Sequence, residues 1–306
     1  MSKFLRDRNI NPGYLQIFFA ALIWGSFGLF VRVLDYSPGY ILFYRFLSGF
    51  IGILIYTSIK DGLASLKPAL VHWKWMLIPS LLISLSWFAY TYAIGYTSIA
   101  NAAFLIYTAP VFTVIFAPLV LKEKLEARTI VALVISLLGT SAIMGYSSLF
   151  SIGASLVGDI IALMGGITYG FVALFLKKAP QGLLGLPSNV LSSGYIALGL
   201  LPFAIISMAQ FRWDGLLLLI ALGLLHQSFG TTLFHLGLRS VKAQHAGILT
   251  YIEPLAATAM AALFLSEGLT WGSILGGTLI ITGGMIVVFR KNNKTVPVKT
   301  EIKVKV

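Results

Sequence analysis

The chain has 306 residues, of which 58% are apolar and only 10% charged, with a formal net charge of +12. At a mean hydropathy of +0.91 there is too little polar surface to clothe a water-soluble globule, so composition excludes an ordinary soluble domain. The absence of cysteine excludes disulfides, thiolate metal ligands and a cysteine nucleophile.

In chain order, a basic segment (1–13) precedes a first apolar span near 14–34, which has no small-residue cleavage site and is expected to be retained. Further spans follow near 39–59, 75–96, 99–121 and 128–145. After a connection at 146–155 comes a second set near 156–176, 189–209, 215–238, 243–265 and 270–289, and a basic tail occupies 290–306. Each run is close to the twenty or so residues that cross a bilayer as a helix, and the alternation of a membrane β-strand is missing. The expected fold is an all-α integral membrane protein of ten transmembrane helices with no extramembrane domain.

The positive charge is explained by topology rather than by nucleic acid. If the N-terminus is cytoplasmic, nineteen of the twenty-two Lys and Arg fall on the inner side, leaving Arg32, Arg45 and Arg212 toward the other face. The positive-inside rule then places both termini in the cytoplasm of a multi-pass cell-membrane protein. The C-terminal tail is either a solvated end or a contact for anionic lipid headgroups.

Shifting the chain by 144 residues aligns 97–144 with 241–288 without a gap, giving 11 identities in 48 positions. Ala102, Leu105, Tyr107 and Pro110 meet Ala246, Leu249, Tyr251 and Pro254; Glu123 meets Glu267 and Gly139 meets Gly283. "ALIWGS" (21–26) is matched by "ALMGGI" (162–167). Two five-helix halves, 14–145 and 156–289, are thus related by duplication. Because five is odd, the second half enters the membrane from the opposite side, giving an inverted repeat suited to alternating access.

The "WGS" of the first span, "YRF" in the second, the proline and "LKEKL" of the fourth, and "EP" with "LSEGL" of the ninth resemble the EamA-type transporters of the drug/metabolite transporter superfamily. The resemblance covers all ten spans. It implies a secondary transporter with a central cavity, exporting amino acids or related small metabolites; exchange of drugs or other metabolites is the alternative. One departure is Gly165, which stands where the second half would repeat Trp24.

Glu123 and Glu267 each stand at a helix exit just before the next helix, where a carboxylate favours the positive helix N-terminus, so capping is expected of both. Glu253 has Ala109 as its counterpart and lies about 15 Å into the ninth helix, near mid-membrane. An acid there is costly unless paired or protonated, which makes it a candidate for proton coupling or for holding a substrate amine. Arg45 lies deep in the second helix. It either snorkels to headgroups, pairs with Glu253 or meets a substrate carboxylate. Pro110 and Pro254 remove helix hydrogen bonds and are expected to kink the chain at a binding floor. Trp87 and Thr91 (with Ser84) and Gln227 and Thr231 (with His235) form stripes on single helix faces. With Trp24, Asn101, Tyr107, His245 and Tyr251 they complete the expected substrate-binding set. Gly272 and Gly276, spaced as GxxxG, favour close helix packing or a dimer, leaving monomer and homodimer both open.

No HExxH, no GxSxG-type serine motif and no metal-ligand spacing among the four histidines is present, which argues against an intramembrane enzyme and for no metal or cofactor. No filter-like segment points to a channel. The expected partners are a small-molecule substrate and the lipid bilayer, with no nucleic acid.

Overall fold

Prolines mark several helix starts in this chain. Pro12 and Pro38 occupy first-turn positions, where a missing N–H costs nothing, and the Asn11 side chain accepts from Gly13 N at 2.8 Å. The structure, a computed structural model, describes residues 11–145, 156–180, 183–206, 213 and 215–289. The basic residues 1–10, the connection 146–155, Arg212 and the tail 290–306 lie outside the described residues.

The first half comprises α1 (Pro12–Leu34), α2 (Pro38–Asp61), α3 (Trp73–Ala93), α4 (Ile99–Ile106 and Ala109–Leu121) and α5 (Ala127–Met144). The second comprises α6 (Leu156–Lys178), α7 (Leu186–Gly199 and Leu201–Ile206), α8 (Leu216–Ser240), α9 (Ala243–Thr250 and Ile252–Phe264) and α10 (Trp271–Val288). Among the described residues nine helices are long and apolar enough to cross a bilayer. The tenth expected span, α7, is divided at Leu200, because Pro202 has no N–H to offer the Leu198 carbonyl.

Packing follows a pseudo-two-fold relation. α5 pairs with α10 and α2 with α7, each helix against its own repeat counterpart. α3 runs along α6 as α8 runs along α1, and α4 meets α6 as α9 meets α1. Small residues permit these approaches. A Cβ on Gly25 would come within 2.7 Å of Glu253 O, and one on its repeat mate Gly166 would strike Leu105 O, so both halves bring a glycine against the broken helix of the other. The GxxxG face of α10 is used inside the chain: a Cβ on Gly272 would meet Ala142 O at 2.5 Å, and Gly276 faces Gly139 of α5. Ile59, Ile206 and Leu217 are about four-fifths exposed, as expected for side chains that face lipid rather than a core.

The breaks in α4 and α9 fall at Tyr107–Thr108 and at Tyr251, just ahead of Pro110 and Pro254. The sequence predicts kinks there; the structure shows short interruptions, so each proline lies in the first turn of a new helical segment. α8 contains a π-helical stretch, Gly223–Gly230, whose wider turn lets Thr231 N donate to His226 O. Such a stretch commonly accompanies a functional site.

Candidate functional site

A cavity of about 810 Å³, counting space continuous with the outside, lies between the two halves. α1, α2, α3 and α4 line it from one half and α6, α7, α8 and α9 from the other. The helix breaks supply part of the wall, with Pro110 and Thr113 on one side facing Gly247 and Thr250 on the other.

Local packing fixes the polar wall. Gly223 allows α8 to lie against the backbone of α2, where a Cβ would sit 2.6 Å from Arg45 O. The π-helical turn of α8 then presents Gln227 to the cavity. Gln227 Nε2 donates to Asn189 Oδ1 at 3.1 Å and Ser193 Oγ at 2.8 Å, while Thr231 Oγ1 donates to Gln227 Oε1 at 3.2 Å. Asn189 in turn donates to Gln227 O at 2.8 Å and Thr232 Oγ1 at 2.9 Å. A satisfied network of this kind holds an amide in one orientation within a low-dielectric interior. Trp24 Nε1 donates to His226 O at 3.3 Å, and Ser26 Oγ lies 2.8 Å from His226 Nε2.

Arg45 projects into the cavity from α2 and is 6% exposed. Its guanidinium carbon lies 5.1 Å from the Phe27 ring centre, 5.4 Å from Phe46 and 5.9 Å from Trp87. Its Nε is buried without a hydrogen-bond partner, and no ion pair to it occurs among the described residues. The snorkelling alternative is therefore not adopted. Glu253 is near enough to feel the Arg45 charge, but its Oε1 instead accepts from Tyr107 Oη at 3.5 Å across the halves.

Of the expected substrate-binding residues, Trp24, Trp87, Gln227 and Thr231 line this cavity. Thr91, Tyr107 and Tyr251 do not: Tyr251 is fully buried in the apolar core, and Tyr107 is turned toward Glu253. Asn101 and His245 sit at helix starts, about two turns from the breaks, so their depth is wrong for the cavity. His245 Nδ1 lies 2.7 Å from Tyr14 Oη and Asn101 Nδ2 donates to Thr97 Oγ1 at 3.4 Å. Tyr169 and Ser192 line the cavity without having been singled out from sequence. Tyr169 comes one turn after Gly165, the position that departs from the Trp24 pattern, and supplies the aromatic wall there.

Glu123 and Glu267 differ in environment. Glu123 Oε1 accepts from Ala243 N at 3.0 Å and Oε2 from Gln244 Nε2 at 3.2 Å, so it caps the first turn of α9 in the opposite half. Beside it, Glu126 accepts from Lys242 Nζ and Arg128 Nε, each at 2.6 Å. Burial raises the Glu126 carboxyl, but these two cations outweigh it and hold it at about 2. Glu267 caps no helix; it pairs with Arg32 at 3.0 Å in an exposed position.

The EamA-like transporter family model matches residues 11–145 and again 156–289. The chain belongs to the EamA-like transporter family. Among similar proteins, an uncharacterized transporter of Archaeoglobus fulgidus is 28% identical over 279 residues, covering 91% of this chain and 97% of the relative. One of Clostridium kluyveri is 26% identical over 290 residues, covering 90% and 93%, and the uncharacterized transporter YoaV of Bacillus subtilis is 25% identical over 276 residues, covering 88% and 94%. A crystal structure superposes with a TM-score of 0.73 at 16% identity, covering 90% of this chain and 97% of that one, which shows a shared fold. Two matches to one EamA-like model within a single chain agree with the duplicated helical architecture.

Proposed function

We propose that this EamA-like protein is a secondary active transporter that moves small amphipathic metabolites, amino acids or related compounds, by alternating access in the direction of export. The observation that carries this reading is the asymmetric seam between α4 and α9. Ala243–Thr250 packs against Ala109–Leu121, whereas Ile99–Ile106 makes no comparable contact with Ile252–Phe264 among the described residues. Equivalent positions confirm the difference in packing: Ala243 is fully buried and Ile99 is 67% exposed.

In an inverted repeat, exchange of the two arrangements would seal the parted end and part the sealed one. The cavity between the halves would then face alternate sides. With the termini cytoplasmic, the sealed Glu123 end is cytoplasmic and the parted Glu267 end external. Glu253, buried between the halves, is the candidate proton carrier, and coupling to a proton gradient is part of this reading.

Reconstituted protein in liposomes tests it. Saturable exchange of labelled metabolite is expected; non-saturating ion current would mean a channel, and product formation an enzyme. Glu253→Gln should lose the response to a pH gradient while retaining downhill exchange. An undiminished response with normal affinity would remove Glu253 from coupling.

A further inference from the structure

We infer that Arg45 is the anion anchor of the cavity and that it selects small monocarboxylates with a neutral, apolar or aromatic body over zwitterionic amino acids. This inference rests on the transport reading above and, among the substrates named there, takes amphipathic monocarboxylates in place of amino acids.

Three observations lead to it. First, a guanidinium within the membrane is costly unless paired, yet Arg45 has no ion pair among the described residues and its buried Nε has no hydrogen-bond partner. Second, the surrounding Phe27, Phe46 and Trp87 rings lie near the guanidinium carbon without accepting conventional hydrogen bonds, so they position the fork while leaving its donors for a ligand. A planar fork with parallel donors matches a carboxylate. Third, Arg45 is the one charged side chain among the described residues that line the cavity.

The charge balance sets the substrate class. One cation satisfies one carboxylate; a phosphate ester or dicarboxylate would bring a second negative charge with nothing to meet it. An α-ammonium would likewise enter a wall whose charged group is positive, since Glu253 does not line the cavity and already accepts from Tyr107. The remaining wall, including Ile83, Val172, Ile196 and Phe234, suits an uncharged apolar body, and the Gln227 and Thr231 groups can meet a polar substituent on it.

The test uses the full chain in detergent or lipid nanodiscs, with binding read from tryptophan fluorescence, since Trp24 and Trp87 line the cavity. The probes are phenylpropanoate, its neutral primary amide and phenylalanine. In the wild type the acid should bind at least about tenfold more tightly than either of the others. Arg45→Gln should bring the acid down to the level of the amide, and Arg45→Lys should keep part of the preference. The wild-type comparison stands even if a variant fails to fold. Equal binding of acid and amide, tighter binding of phenylalanine, or no binding of the acid would overturn the inference, and exchange of another labelled metabolite by liposomes would leave the transport reading standing. Acid-selective binding without flux of any labelled solute would support the anion site and sink the transport reading instead.

Discussion

Glu123 and Glu267 occupy equivalent positions in the two repeats and do different work. Glu123 reaches across the halves to cap Ala243 and Gln244, both fully buried, and it stands beside the Glu126–Lys242–Arg128 cluster. Glu267 remains on its own side of the seam and holds Arg32, with side-chain exposures of 47% and 68%. Similar local sequence therefore gives two environments, because a helix N-terminus is within reach at one end of the seam and not at the other. Under the transport reading proposed above, the Glu123 contact is the engaged copy of a latch and the Glu267 position the disengaged one.

The largest expected effect comes from breaking the engaged copy. Glu123→Ala removes two charge-assisted hydrogen bonds, each worth about 1.5–3 kcal/mol, and should shift the balance between sealed and parted arrangements by about tenfold or more. A single cysteine at Thr250, which lines the cavity, reports it in this cysteine-free chain. Membrane-impermeant reagent should reach it from the Glu123 side in the variant and not in the parent. Unchanged sidedness would remove Glu123 from the latch.

Acid should weaken the same end. The Glu126 carboxyl is held below its usual value of 4.5, at about 2, so its ion pairs contribute fully above about 4.5 and are lost as pH falls toward 2. Quenching of a fluorophore attached beforehand at Thr250→Cys, by a membrane-impermeant ion added on the Glu123 side, should rise through that window, and Glu126→Gln should flatten the rise; direct thiol labelling is unsuitable at this pH. A parent response centred near neutral pH would contradict this assignment.

Tyr14→Phe tests the next link. Tyr14 and His245 are 2.7 Å apart, and losing that hydrogen bond should cost about 1 kcal/mol of thermal stability. Asn101, the repeat counterpart of His245, donates to Thr97, which in turn donates to the α6 residue Asp159 at 2.9 Å, and Asp159→Asn should cost a similar amount. A large effect on cavity sidedness from either substitution would mean that these clusters belong to the latch and not to the scaffold.

The smallest effect is expected at Glu267. An exposed pair contributes about 0–1 kcal/mol and is screened by salt, so Glu267→Gln should change stability and sidedness little. If it matched Glu123→Ala in size, the two ends would be energetically equivalent and the comparison would fail.

Much of the fold was legible in the chain itself. Hydrophobic length predicts ten spans, and among the described residues nine long helices plus the divided α7 occupy those segments. Tyr107–Pro110 and Tyr251–Pro254 place both helix breaks, because proline cannot donate the bond that would continue the preceding turn. Site residues were less legible. Gln227 and Thr231 lie on the face that turns inward, but Asn101 and His245 have equally polar side chains and sit two turns away, at helix starts. Depth along a helix depends on where the break falls relative to the neighbours, and one-dimensional spacing carries no such coordinate. Tyr169 gave no signal because aromatic residues are common throughout this chain.

The sequence by itself determined the solvent, the helices and the duplication, since each follows from local hydrophobicity, backbone chemistry or direct self-alignment. Only the tertiary structure decided that Arg45 stands in an aromatic cage with no ion pair among the described residues while Glu253 turns to Tyr107, and that Glu123 is docked while Glu267 is not. Those outcomes depend on how two similar halves lean on one another: the two ends of one seam pack differently, so chemically similar repeat segments acquire different partners.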